Sequence, residues 1–179
     1  MSVSVTAAAR AFVVPALIVV VALFGFFSGN WLHARYFIND TPVQPIEFSH
    51  RLHVETYEIP CLHCHVSAEH TPVAGVPPLS RCMACHQVIA RDRPEIVRLI
   101  DYWEAQQPVP WVQVYHVPDF VHFTHRRHVQ ADVACQDCHG PVETMDRVTR
   151  VNQPTMMWCV ECHTAHEVER GLDCWTCHK

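Results

Sequence analysis

The sequence predicts a mainly α-helical, otherwise irregular fold: one N-terminal membrane-spanning helix followed by one small domain. Three observations predict it. An uncharged apolar run opens the chain, all ten cysteines fall in Cys-x-x-Cys pairs, and the segment carrying those pairs is nearly repeated. At 179 residues there is room for one ordinary domain with an extension. Thirteen prolines against five glycines predict a backbone that is irregular but stiff. The net charge of −5 excludes the basic surface that nucleic acid requires, so no nucleic-acid partner is expected.

The apolar run, residues 11–27, reads AFVVPALIVVVALFGFF and carries no charge. Trp31, His33, Arg35 and Tyr36 follow as an interfacial belt. A membrane span needs about 17 to 25 residues, so the run is at the short end. A cleaved signal peptide is the competing reading. The exit, SGNWLHAR, holds no small-x-small cleavage site, and Ala7, Ala8 and Ala9 lie before the run. The expectation is an uncleaved anchor over residues 1–35, spanning at about 11–28, with a lipid bilayer as its partner. A proline-bearing linker at 36–45 joins it to a domain at 46–179.

The cysteine pairs begin at Cys61, Cys82, Cys135, Cys159 and Cys174, and close at Cys64, Cys85, Cys138, Cys162 and Cys177. Histidine follows every pair: CLHCH, CMACH, CQDCH, CVECH and CWTCH. With fifteen histidines in the chain, five such coincidences by chance have a probability on the order of 10⁻⁶. Covalent haem attachment explains the pattern. Two thiols add to the two vinyl groups of a porphyrin, and the adjacent imidazole reaches the iron. Zinc held by four thiolates would take the pairs two at a time and leave one over. A disulfide scaffold would leave the histidines unexplained. The expectation is five covalently attached c haems, with His65, His86, His139, His163 and His178 as proximal ligands. Covalent haem attachment occurs outside the cytoplasm, which places the domain on the periplasmic side of the inner or plasma membrane.

Each haem leaves a second axial position, and the repeat supplies candidates for it. FSHRLH at 48–53 precedes Cys61, and FTHRRH at 123–128 precedes Cys135 by almost the same spacer. Each unit is followed by two haem motifs, and the second half adds a fifth, which reads as a duplicated module. The modules cover about 46–91 and 117–179. On a helix, residues three apart share a face, so His50 and His53 could reach two different irons, as could His125 and His128. The fifth distal position has His116 as first candidate and Met156, beside Met157, as second, because a thioether also ligates c haems. Core filling is the competing role for the methionines. His166 is a weaker candidate, and His63 is read as a bystander within its own loop.

Between the modules lies a haem-free insert at 92–116. In DRPEIVRLIDYWEAQQ, Asp92 is a candidate N-cap, Pro94 sits in the first turn, and Ile96, Leu99, Ile100 and Trp103 recur at helical spacing. The predicted helix either packs on haem faces or docks a partner. Trp103, Trp111, Tyr115 and Phe120 would then offer an aromatic contact surface to another subunit. No paired carboxylates, nucleophile elbow or phosphate loop is present, so no catalytic residue is assigned. Few residues share many porphyrins, so the porphyrins themselves should form much of the core.

The Phe-x-His-x-x-His units resemble those of the class III multihaem cytochromes, the c3 and c7 type. That resemblance implies that His50 serves the haem at Cys61 and His125 the haem at Cys135. It implies also that His53 and His128 reach haems further along. The stretches PIEFSHRLHV, VAGVPP with CMACH, VPWVQVYHVPDFVHFTHRRHV, CQDCHGPVETM and MMWCVECH resemble the pentahaem subunit of alternative complex III. This second resemblance implies an electron-transfer subunit anchored by one helix, working with other membrane and periplasmic subunits of a quinol-oxidising complex. A periplasmic cytochrome c or copper protein would be the acceptor. The implied haems are mostly bis-histidine, with room for one methionine ligand. Two other readings are a self-sufficient anchored multihaem quinol dehydrogenase and a multihaem reductase. The reductase would require a haem without a distal ligand.

Overall fold

The computed structural model describes residues 5–37 and 41–178, with side chains described for 12–32 in the first stretch. It divides into two compact units, Met1–Asn39 and Asp40–Lys179. The first unit is one helix, α1, Val5–Phe37, with Pro15 inside it. Its uncharged stretch Phe12–Leu32 is long and apolar enough to cross a membrane, four residues further along than the predicted span. At 1.5 Å per residue, its 21 residues reach about 32 Å, against about 30 Å of bilayer hydrocarbon. Polar groups near its end are satisfied locally. The Ser28 hydroxyl donates to the Gly25 carbonyl and the Asn30 amide to the Phe26 carbonyl, at 3.3 and 2.9 Å. A helix in hydrocarbon requires such internal pairing.

The second unit is built from short helices and loops, with no strand among the described residues beyond an isolated bridge, Val121 to His178. Every Cys-x-x-Cys pair sits on a helical turn: α2 (Cys61–Cys64), α3 (Leu79–His86), α6 (Cys135–His139), α7 (Met156–Ala165) and α8 (Cys174–Cys177). The residue before each turn is extended: Pro60, Pro78, Ala134, Thr155 and Asp173. Thr155 also caps α7 by accepting from Trp158 N at 3.3 Å. One helical turn brings residues three apart onto one face, which sets both thiols of a pair side by side.

The duplication is visible as a reciprocal exchange. Helix α5 (His125–Gln130), from the second module, packs on the 3₁₀ turn Val66–Glu69 of the first. The helical turn Arg51–Thr56, from the first, packs on the 3₁₀ turn Val142–Thr144 of the second. The bonds match in kind. Arg51 N donates to Met145 O at 3.0 Å, and Arg126 N donates to Thr71 O at 3.3 Å. The partners correspond position for position along FSHRLH and FTHRRH. The two turns differ in winding, for Arg51–Thr56 is π-helical and α5 is α-helical. A single π turn widens the helix locally and recurs at functional sites. Exposed ion pairs, Arg51 with Asp146 and Glu47 with Arg147, lie across the same contact, where solvent screens them.

The protein's own apolar core is small. Ile46, Met83, Leu99 and Val109 are buried together, with Ile96, Ile100, Trp103 and Trp111 around them. It forms where α3 meets α4, Pro94–Glu104. The predicted apolar stripe of α4 is present, but its N-cap is Arg93 rather than Asp92, because Pro94 already occupies the first helical position. Of the four aromatics expected to form a contact surface, three turn inward. Trp103 and Trp111 join the core, Tyr115 lies on His139, and Phe120 remains 63% exposed. The aromatic contact surface anticipated for the insert is therefore reduced to Phe120. Before it, the segment 41–46 is tied into the same unit. Gln44 exchanges two 2.9 Å bonds with the Val112 backbone, and Thr41 bonds Thr149 at 2.9 Å.

Candidate cofactor site

The histidines of the Phe-x-His-x-x-His units do not stand free on the surface. His53 faces His86 with ring centroids 6.2 Å apart, His125 faces His139 at 6.3 Å, and His128 faces His163 at 6.2 Å. In each pair, one ring comes from a repeat unit and the other from a Cys-x-x-Cys-His motif. His50 is half-buried beside His65 and His53.

These separations fit a metal held between two imidazoles. Two metal–nitrogen bonds of about 2.0 Å, with each ring centre about 1.2 Å behind its nitrogen, place the centroids about 6.4 Å apart. Direct stacking would bring them closer, and a hydrogen bond between rings would need a proton on one nitrogen. Among the described residues no three His, Cys, Asp or Glu side chains converge as a zinc site would require. The donor set, two thiols on one turn with an imidazole and a second imidazole opposite, fits a covalently attached haem.

Orientation of the rings comes largely from the backbone. Nδ1–H of His53 donates to Ser49 O at 2.8 Å, and that of His128 to Thr124 O at 2.9 Å, the same bond in both repeats. His65, His86 and His163 likewise donate to Gly75, Ile89 and Gly171 carbonyls at 2.9, 3.1 and 2.8 Å. A proton held on Nδ1 leaves Nε2 with its lone pair, the tautomer a metal needs. His50 Nδ1, by contrast, is buried without a polypeptide partner. Burial, then the neighbouring His65 and His53, hold His50 neutral by lowering it to about 4. Burial, with His125 and His65, lowers His139 too. Both are therefore unprotonated, as ligation demands, at neutral pH.

The phenylalanine of each unit is a positioning residue that the sequence reading passed over. Phe48 meets His50 edge-on at 4.8 Å and stacks on His53 at 4.4 Å. Phe123 meets His125 edge-on at 4.9 Å and lies against His128 at 4.5 Å. One ring thus wedges two imidazoles apart. The signal was in the sequence, since both units begin with phenylalanine. We expect Phe48→Ala to broaden the low-spin EPR lines of two haems together while leaving the haem count intact. A change confined to one haem, or none, would contradict the wedge.

Tyr115 supports the same site from the insert. Its ring meets His139 edge-on at 4.5 Å, its hydroxyl donates to His139 O at 3.4 Å and accepts from Val151 N at 3.2 Å.

The structure leaves several predicted residues apart. Opposite His178 it places Phe120, with ring centroids at 5.8 Å, and no imidazole among the described residues. His116 is exposed, and Met156, at the first position of α7, is 70% exposed. Neither is brought against His178 by any described contact. His63 and His166 are exposed. The side chain of His33 lies outside the described residues.

A mainly helical unit carrying Cys-x-x-Cys-His turns and facing imidazole pairs defines a multihaem c-type cytochrome. Residues 121–179 match the family described as cytochrome c7 and related cytochrome c. The chain is also 30% identical, over 164 residues, to the multiheme cytochrome c subunit of menaquinone reductase from Nitratidesulfovibrio vulgaris. That match covers 76% of this chain and 77% of the relative. The chain belongs to this family of c7-related multihaem cytochromes. Its cofactor is c-type haem and its chemistry electron transport.

Proposed function

We propose that this chain is the membrane-anchored pentahaem relay of a quinol-oxidising complex of the alternative complex III type. One observation supports it most: three facing imidazole pairs, each joining a repeat histidine to a Cys-x-x-Cys-His motif. Bound haem would supply a one-electron iron couple, and at the motifs that a repeat histidine faces a second imidazole would occupy the position that substrate chemistry would use. In this reading the five motifs hold one haem each through His65, His86, His139, His163 and His178. His50, His53, His125 and His128 serve as distal ligands for the haems at Cys61, Cys82, Cys135 and Cys159. Helix α1 anchors the chain in the bilayer. The haem unit lies on the periplasmic side, with other subunits beside it and a soluble cytochrome c or copper protein downstream.

A second reading is favoured by the relative, whose name describes a reductase of menaquinone. In such a complex electrons run toward the quinone rather than from it. Direction is a property of the partners, and the same relay serves both.

The test uses the purified complex and the purified chain in parallel. Quinol should reduce the haems of the complex rapidly, and a soluble cytochrome c should reoxidise them. The chain alone should be reduced by dithionite but not by quinol. Rapid quinol reduction of the chain by itself would favour a self-sufficient dehydrogenase. Reduction of quinone by the pre-reduced complex, without the reverse reaction, would favour the second reading.

A further inference from the structure

We infer that the haem attachment sites form one unbranched file in the order Cys82, Cys61, Cys135, Cys159, Cys174, so that the first two motifs are transposed relative to the chain. This rests on the five-haem reading above and adds the order to it.

Four contacts define the file. Phe48 holds His50 and His53 on one turn, with His53 facing His86 and His50 beside His65, so the Cys82 and Cys61 sites are neighbours. The reciprocal exchange joins the modules. His125 N donates to Pro72 O at 2.9 Å, and Arg51 N donates to Met145 O, so the loops behind His65 and His139 lie against each other's repeat helices. That makes the Cys61 and Cys135 sites neighbours across the reciprocal exchange. Phe123 repeats the first contact, with His125 facing His139 and His128 facing His163, which joins Cys135 to Cys159. Last, Gly171 O accepts from His163 Nδ1 at 2.8 Å, three residues before Cys174, which joins Cys159 to Cys174.

The two ends are built differently. At Cys82, α3 packs under α4, and Met83 is in the apolar core. At Cys174, His178 is bridged to Val121, and His122 N donates to Cys177 O at 2.7 Å. The duplication explains the transposition. A repeat helix places its second histidine on the later motif, so in each module the first motif is the one beside the exchange. The modules meet through their first motifs, and this puts Cys82 at an end.

The test is proton NMR of the fully reduced, haem-loaded chain in detergent under carbon monoxide, which fills any open axial position so that every iron is low-spin and diamagnetic. Porphyrin signals are assigned to motifs through contacts to each Cys-x-x-Cys-His turn. Inter-haem Overhauser contacts are expected for Cys82–Cys61, Cys61–Cys135, Cys135–Cys159 and Cys159–Cys174 only. A second measurement, without carbon monoxide, uses His128→Ala, whose five-coordinate ferrous haem is paramagnetic. Relative to the parent chain it should broaden the signals of the Cys135 haem and spare those of Cys82. A contact between the Cys82 and Cys135 haems, or a missing contact between Cys61 and Cys135, overturns the order. Intact mass on the same sample separates the two levels. Five haem additions with different contacts sink the order alone, whereas fewer than five sink the pentahaem reading and the file with it.

Discussion

His125→Ala converts one haem of the mature protein from low-spin to high-spin. The ring of His125 lies parallel to that of His139, within 8°, at 6.3 Å, the alignment of two imidazoles on one metal. Its position depends on Phe123 and on the carbonyl of Pro72, 3.0 Å from Nδ1. Alanine retains the backbone bond from residue 125 to Pro72 O, so α5 keeps its seat while the iron loses its distal nitrogen. Among the described residues no other imidazole ring faces His139. On the five-haem reading, about one fifth of the ferric haem moves into an axial high-spin EPR signal relative to the parent protein, with additional carbon monoxide binding in the reduced state. His63→Ala and His70→Ala, at exposed positions, should leave the spectrum unchanged. A wholly low-spin His125→Ala protein would show that another side chain, or none, holds that position.

Gly140→Ala should lower stability more than any other glycine substitution in the haem unit. Gly140 ends α6 directly behind His139, with φ 69° and ψ −166°. That region is open essentially to glycine alone, and another residue held there costs about 1–3 kcal/mol. A methyl would also meet Val151 Cγ2 at 2.5 Å. Overpacking of this kind costs a further ~1–3 kcal/mol. Set against a total stability of about 5–15 kcal/mol, the loss is large enough to deplete mature protein. The measurement is the denaturant midpoint of the haem-loaded chain. Gly75→Ala is the control: its φ of 64° is also positive, but nothing lies within 4 Å. Adding Val151→Ala to Gly140→Ala should restore part of the loss, since it removes the collision and not the backbone strain. An unchanged midpoint in the single variant would refute the argument.

Much of the site was legible because its chemistry is local. A thiol pair and imidazole for covalent haem attachment lie within five consecutive residues, so spacing alone discloses them. The repeat units were legible for the same reason, since FSHRLH and FTHRRH carry both histidines on one turn. The helix of the insert followed from its apolar spacing, although its cap moved by one residue because Pro94 set the start. The phenylalanine wedge escaped notice because an aromatic beside a polar helix reads equally well as core. The inward turn of Trp103, Trp111 and Tyr115 was hidden for a related reason, as hydrophobicity does not say which neighbour will cover it.

By itself, then, the sequence determined the class: an apolar helix, Cys-x-x-Cys-His turns, and a duplicated pair of histidines around c-type haem. Tertiary structure decided which imidazole faces which, that Arg51–Thr56 widens to a π turn while α5 does not, and that the two modules exchange their repeat helices. These features depend on contacts between residues far apart in the chain, such as Arg126 N to Thr71 O across 55 positions. Attachment is short-range covalent chemistry and is written in adjacent residues. The facing of one imidazole on another is set by how distant segments cross, and no local window of sequence contains it.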